Sequence, residues 1–408
     1  MKKQIFIPIL IIIFLGLATT GVVLYGKGYQ YDPTQGLIGT GILAASSNPE
    51  GAGVYINNHL QTATNNTVNL KPGSYDVMIK QDGYFPWEKT IAIQKGVVTK
   101  ADARLFPTAP KLESITSTGI ANPVIDPTFT KIAFVASPSG GVNKDVKKNG
   151  IFVLDMSNHQ LLPLQSSSTQ IADDTTDLFS TAALSWSPDG KQIVASISAN
   201  RKIPTTYLLD ATTLNQTPQD VTETMATVNS AWDKERLEKQ TAQMNSLKPA
   251  LRKIVNDNFT IIEWSPQPDE TKILYQASAS ATIPQMITPA HIGRDTIPEE
   301  RIIEKGNVYV YDIKEDQNFK ILDAQTAEQE LENGQVPIQW LPDGTHLLYT
   351  HDRKIDAMDY DGQNTITLWA GPFVDHFVFP WPDGNKIVIL TNFNNDQILP
   401  NMYTIGLK

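Results

Sequence analysis

The chain has 408 residues, 41% hydrophobic and 19% charged, which is length for two or three domains with their own cores and a composition that excludes a disordered polymer. Its formal charge of −10 counts against a nucleic-acid partner, because neutralising phosphates takes clustered Lys and Arg. Cysteine is absent, so disulfides, thiolate nucleophiles and cysteine-based metal sites are excluded and stability rests on packing.

Residues 5–24 (IFIPILIIIFLGLATTGVVL) carry no charge. At ~1.5 Å per residue such a stretch matches a ~30 Å hydrocarbon core, which predicts a transmembrane signal anchor over residues 1–25. A cleaved signal peptide is the competing reading, but its apolar region is usually about 7 to 15 residues and ends in an A-x-A-like site. Only Ala18-Thr19-Thr20 keeps that alternative open. Lys2 and Lys3 precede the span, so the positive-inside rule leaves the N-terminus in the cytoplasm and residues 26–408 outside. Residues 26–39 are expected to be a juxtamembrane linker.

Residues 40–107 alternate short strand-like runs with turn signals: GILAASS, VYIN, TVNL, SYDVMIK, KTIAI and ADARLF. This is the pattern of a small β-sandwich, with Val54 and Ile56 on one inward face and Tyr75, Val77 and Ile79 on another. The turn tetrapeptide is Pro49-Glu50-Gly51-Ala52, followed by a Val-Tyr-Ile strand, a PG-x-Y turn at 72–75, Gly83-Tyr84 and Trp87. These marks resemble the PEGA domain. Asn57-Asn58 replaces the usual glycine after the strand, and asparagine tolerates the same left-handed turn. The resemblance implies a stalk or adhesion module of an envelope protein. Core packing accounts for Tyr84, Phe85 and Trp87 more cheaply than a glycan-stacking platform does.

Beyond residue 107 a unit recurs. WSPDGKQIV (186–194) is matched by WLPDGTHLL (340–348), and by WSPQPDETKILY, FPWPDGNKIVIL and the degenerate VIDPTFTKIAFV. Proline stops a strand, Asp caps the turn, Gly supplies positive φ, and the apolar run returns as an antiparallel strand. A second pair of strands follows each copy. Four strands per unit make a propeller blade, which predicts about five blades over residues 108–408, with six or seven left open by the long insertions. The last unit lacks its fourth strand, and KLESITS (111–117) is spare. Pairing the two closes the ring. The SPDGK-type turns with the VYVYD and MDYDGQN runs resemble TolB-type propellers, which implies an envelope-associated β-propeller. The expected fold class is all-β: an anchor helix, a sandwich and a propeller with a helical insertion at 228–258.

Strand parity then sorts the connections. The PDG and KEDQ-type turns share one rim, and the insertions at 138–149, 166–181, 220–258, 279–305 and 324–335 are expected on the other. Charges at helical spacing in 229–259, and Pro249 within it, predict one helix followed by a second short one.

No G-x-S-x-G elbow, P-loop, dinucleotide fingerprint or H-E-x-x-H occurs. No catalytic residue, cofactor or metal is expected. The acidic turn DYDGQN (359–364) lacks the later bidentate Glu of a calcium loop and reads as a hairpin. Candidate binding residues are Trp232 and Arg294 on the insertions, His351-Asp352-Arg353 on a short connection of the long-loop rim, and Asp375-His376 near the propeller channel. Trp186, Trp264 and Trp340 precede equivalent turns and read as packing between blades. The expected function is a non-enzymatic, membrane-anchored envelope protein that binds a cell-wall glycan or a protein. A sensor or assembly scaffold for another membrane complex, and a glycan hydrolase or lyase with paired carboxylates in the channel, stand as alternatives.

Overall fold

A computed structural model describes residues 2–408 apart from 27–28, 33–35, 138–144, 158–167, 199–202, 269, 332–335, 375–376 and 396. Helix α1 spans Lys2–Gly26, and its side chains are described, all exposed, from 11 to 23. Among the described residues no helix is long and apolar enough to cross a membrane. Residues 11–23 alone cover about 20 Å, short of a ~30 Å core. Where a plain linker was expected, β1 (Tyr29–Asp32) pairs antiparallel with β2 (Gly36–Gly39). The Tyr-Gln-Tyr alternation suits a strand, and Gly36 takes a positive φ of 78°.

The remaining chain divides into two compact units, of which the first contains residues 1–108, 285–300 and 314–319. Its sandwich uses β3 (Gly41–Asn48), β4 (Gly53–Ile56), β5 (His59–Ala63), β6 (Asn66–Leu70), β7 (Gly73–Lys80), β8 (Trp87–Ile93) and β9 (Val98–Arg104). The sheets run β6-β3-β9 and β5-β4-β7-β8, with β3 and β9 parallel. Val54, Ile56, Val77, Ile79 and Trp87 are buried between them, while Tyr75 and Tyr84 pack at the margin. Segment 285–300 lies along the β8 edge: Thr296 Oγ1 accepts from the Ala92 amide at 3.4 Å, and Lys89 Nζ sits 3.7 Å from Asp295 Oδ2. A covered strand edge is shielded from pairing with other chains.

The second unit is a five-bladed propeller. A lone strand, β10 (Leu112–Ser114), precedes blade 1, which is β11 (Ala121–Ile125), β12 (Lys131–Ala136), β13 (Gly150–Asp155) and β14 (Thr169–Asp173). Blade 2 is β15 (Ala183–Trp186), β16 (Gln192–Ile197), β17 (Thr205–Asp210) and β18 (Gln219–Asp220). Helices α2 (Met225–Ser246) and α3 (Pro249–Asn258) follow, the second opening on proline, which suits a first helical turn. Blade 3 has β19 (Phe259–Trp264) and β20 (Lys272–Ala277), then the small ribbon β21 (Ala281–Thr282) and β22 (Ile302–Ile303), and then β23 (Val308–Asp312) and β24 (Gln317–Leu322), a strand whose residues 317–319 cluster with the first unit. After α4 (Ala324–Gln329), blade 4 is β25 (Ile338–Trp340), β26 (His346–His351), β27 (Lys354–Asp359) and β28 (Ile366–Ala370). The last blade holds β29 (Val378–Pro380), β30 (Lys386–Thr391) and β31 (Asn401–Gly406), completed by β10 in register Leu112↔Ile405. The spare N-terminal strand therefore closes the ring, as its sequence position predicts.

Apolar layers join neighbouring blades: one links blades 1 and 2, another blades 5 and 1, a third blades 3 and 4. The PDG hairpins follow one design. Gly190, Gly344 and Gly384 take φ of 66°, 65° and 69°, and the aspartates at 189, 343 and 383 accept the amides of Lys191, Thr345 and Asn385.

Two placements differ from the parity argument. The stretch 166–181 is interrupted by β14 (Thr169–Asp173) and so is not one connection, and its residues 166–167 lie outside the described residues. Residues 285–300 of the 279–305 insertion group with the sandwich and not with the propeller's long-loop rim, because their polar partners lie on β8 and residues 314–319.

Candidate functional site

Blade 4 carries two histidine clusters, one at each end of the β26–β27 hairpin. At the long-loop end, β26 stops at His351 and β27 resumes at Lys354, so Asp352 and Arg353 alone make the turn, with φ of 47° and 56°. Two left-handed residues in succession match the twist of a two-residue hairpin. His351 Nε2 lies 2.8 Å from Asp356 Oδ2, and Nδ1 lies 3.6 Å from Asp352 Oδ2. The imidazole stacks on the Tyr349 ring at 4.5 Å and 16°.

Tyr349 and Asp356 are direct cross-strand partners and are only 5% and 8% exposed. Among the described residues neither Tyr349 Oη nor Asp356 Oδ1 has a hydrogen-bond partner. Native folds rarely leave such atoms unpaired, since each costs about 1 to 3 kcal/mol. Burial, followed by the charges of Glu330, Asp352, Asp356 and Asp323, pushes the Tyr349 phenol well above its ordinary range. Glu330 follows directly on α4, whose Ala327 packs in the same apolar cluster as Tyr349.

The short-turn end is closed. His346 Nδ1 is 3.0 Å from Asp343 Oδ2, and Nε2 is 3.3 Å from Asp359 Oδ1. Burial alone would lower the histidine pKa, but the two carboxylates outweigh it and hold it up at about 9. The acidic turn beyond it is a hairpin: Asn364 Nδ2 donates to Asp359 Oδ2 at 3.0 Å, and the Asp359 amide to Gln363 O at 2.9 Å. Among the described residues no group of three or more His, Cys, Asp or Glu could hold a metal ion.

On the five innermost strands the one carboxylate is Glu263 of β19. Glu263 Oε2 accepts the Trp340 amide at 2.9 Å, tying blade 3 to blade 4. Although Glu263 is only half-buried by accessible surface, the atoms around it desolvate the carboxyl and raise its pKa to about 7, against that hydrogen bond. Trp186 and Trp340 are packed between blades, Trp186 Nε1 donating to Val124 O at 3.0 Å.

The other candidates fall elsewhere. Trp232 is 7% exposed on α2, where its ring is packed and offers little surface to a ligand. Arg294 pairs with Glu299 at 3.3 Å within the sandwich unit, and it is removed from the propeller site. Arg353 is exposed beside Asp352. Asp375 and His376 lie outside the described residues. Tyr349, Asp356 and Glu330 escaped the sequence reading. The signal was present in KIDAMD, where an aspartate interrupts the apolar run of a central blade strand.

The rims differ in surface. Leu178, Ile203, Leu331, Phe393, Ile398 and Leu399 are exposed on long-loop connections. Among the described residues Leu214 is the one large apolar side chain exposed on the short-turn rim.

The PEGA domain family model matches residues 40–109. Residues 40–109 form a PEGA domain. No curated protein matches the chain. Among solved structures, it is similar to a putative TolB from Agrobacterium tumefaciens, with 16% identity, 72% of this chain and 74% of that one covered, and a TM-score of 0.22. TolB from Acinetobacter baumannii shows 14% identity, coverage of 81% and 59%, and a TM-score of 0.19. The β-propeller domain of the Trilobed protease from Pyrococcus furiosus shows 13%, 90% and 95%, and 0.17. Scores this low carry no argument, and the propeller assignment downstream of the PEGA domain rests on sheet order.

Proposed function

We propose that the chain is a membrane-anchored, non-enzymatic binding protein of the cell envelope, its propeller recognising a protein partner through the long-loop rim. A PEGA domain joined to a propeller is consistent with a binding or scaffold role in general. The observation that carries the finer reading is the asymmetry of the two rims among the described residues: exposed Leu, Ile and Phe side chains lie on one, and Leu214 is the one large apolar side chain exposed on the other. All but Phe393 are aliphatic, which favours a protein over a glycan, a ligand held by stacked aromatic rings and polar groups. A single carboxylate on the innermost strands gives little support to a two-carboxylate glycosidase. For the anchor, α1 presents Phe14, Leu17 and Val22 without protein cover, in a segment whose uncharged run is long enough to span.

The test places a photo-crosslinking residue at Ile203, Phe393 or Leu214 of the full chain in its native membrane. Adducts with one protein of constant mass from the first two positions, and none from Leu214, are expected. Adducts with cell-wall polymer, or equal adducts from both rims, would overturn the reading. Because the chain lacks cysteine, Leu214→Cys supplies a unique thiol. A membrane-impermeant maleimide should label it in intact cells or protoplasts, and protection from that reagent would contradict the proposed topology.

A further inference from the structure

We infer that the long-loop end of blade 4 is a receptor for one cationic hydrogen-bond donor, a lysine ammonium or arginine guanidinium of a protein partner, seated between Tyr349 Oη and Asp356 Oδ1. The inference deepens the rim reading and rests on it. Tyr349 and Asp356 are register partners on paired strands, both more than nine-tenths buried, and among the described residues neither Oη nor Oδ1 has a hydrogen-bond partner. Directly paired residues project their side chains from one face, with Cβ atoms about 5 Å apart, so a single guest entering that face can meet both.

The sign of the guest follows from the local field. The charges that follow burial in raising the Tyr349 hydroxyl are acidic: Glu330, Asp352, Asp356 and Asp323. Arg353 and Lys354 are exposed, where solvent and salt screen their charge. His351 is engaged with Asp356 through the other carboxylate oxygen and leaves Oδ1 unanswered. A neutral guest would leave that field uncompensated, and an anion would be repelled. The described residues offer no metal-binding group, which points to an organic cation. Neither oxygen is open to solvent, so the guest must displace the exposed side chains of the Asp352 and Arg353 turn, adjacent through His351. Arginine has the advantage of a rigid fork that reaches both acceptors together.

The experiment titrates the detergent-solubilised full chain with the tripeptides Gly-Arg-Gly, Gly-Lys-Gly and Gly-citrulline-Gly. Calorimetry reads affinity, and hydrogen exchange reads protection of residues 346–359. The cationic peptides should bind and protect that segment, the citrulline peptide should not, and Asp356→Asn should weaken binding by about tenfold, as loss of a charge-assisted hydrogen bond does. Tyr349→Phe keeps the ring against His351 and should weaken it by about threefold. Equal binding of the citrulline peptide, or no protection by any peptide, would overturn the inference and leave the two oxygens sharing only buried water. Failure of rim crosslinking alongside peptide binding would remove the partner reading alone. A partner captured at the rim with affinity indifferent to Asp356→Asn, and no peptide binding, would remove this inference alone.

Discussion

The two ends of the β26–β27 hairpin make a natural comparison, since the same pair of strands places a histidine near two aspartates at each. At the short-turn end, His346 has both ring nitrogens within 3.3 Å of a carboxylate oxygen, and Asp343 and Asp359 also take amide or side-chain donors. At the long-loop end, His351 stands between Asp356 and Asp352, yet Asp356 keeps one unpaired oxygen and Tyr349 an unpaired hydroxyl. Where every polar atom is satisfied, a buried cluster holds strands together. Where some are left over, the cluster costs stability, and sites that do so are commonly functional.

The largest effect should come from breaking the closed end. His346→Leu leaves Asp343 and Asp359 facing each other without the cation, and should destabilise the propeller by about 3 kcal/mol, measured as a drop in urea midpoint at pH 7. A loss below ~1 kcal/mol would show that the cluster is not the staple described.

The pH dependence should be nearly as large. The folded pKa of His346, about 9, lies above its unfolded value near 6.5, so the charged histidine contributes stability fully below about pH 6.5. That contribution is lost as pH rises through about 9, on the order of 3 kcal/mol between the two limits. His346→Gln should flatten the stability profile over that window, and an unchanged slope would assign the titration to another group.

The sequence showed one end of this comparison and hid the other. PDG turns recur, so the framework around Asp343 was legible from repetition, as was the closure of the ring from a spare strand at residues 111–117. His351, Asp352 and Arg353 stood out because three polar residues make a turn. Tyr349, Asp356 and Glu330 were hidden for two reasons. Tyrosine in a strand looks like ordinary core, and Glu330 reaches the site only through α4, whose position follows from packing of Ala327 between blades 3 and 4. Burial of Trp232 was hidden for a related reason: the charged helix around it gives no sign in the sequence of the tertiary packing that covers the ring.

The open end should respond with the opposite sign. Tyr349→Phe removes a buried hydroxyl that makes no hydrogen bond, so stability should stay level or rise by up to about 1 kcal/mol while binding of the arginine tripeptide weakens. A clear destabilisation, read as a lower urea midpoint, would mean that the hydroxyl has a structural partner such as an ordered water, and the contrast between the two ends would narrow.

The smallest effect sharpens the comparison most, because it separates charge from structure. Asp352 is 74% exposed at its side chain and sits 3.6 Å from His351 Nδ1, so Asp352→Asn should change stability by no more than about 0.5 kcal/mol. Its charge nevertheless acts on the Tyr349 hydroxyl, and the same substitution should weaken arginine-peptide binding about twofold at low salt. Raising ionic strength toward 1 M should shrink that difference, since the Debye length there falls to about 3 Å. A loss that persists at high salt would show that Asp352 touches the guest directly, which would extend the receptor from Tyr349 and Asp356 onto the turn itself.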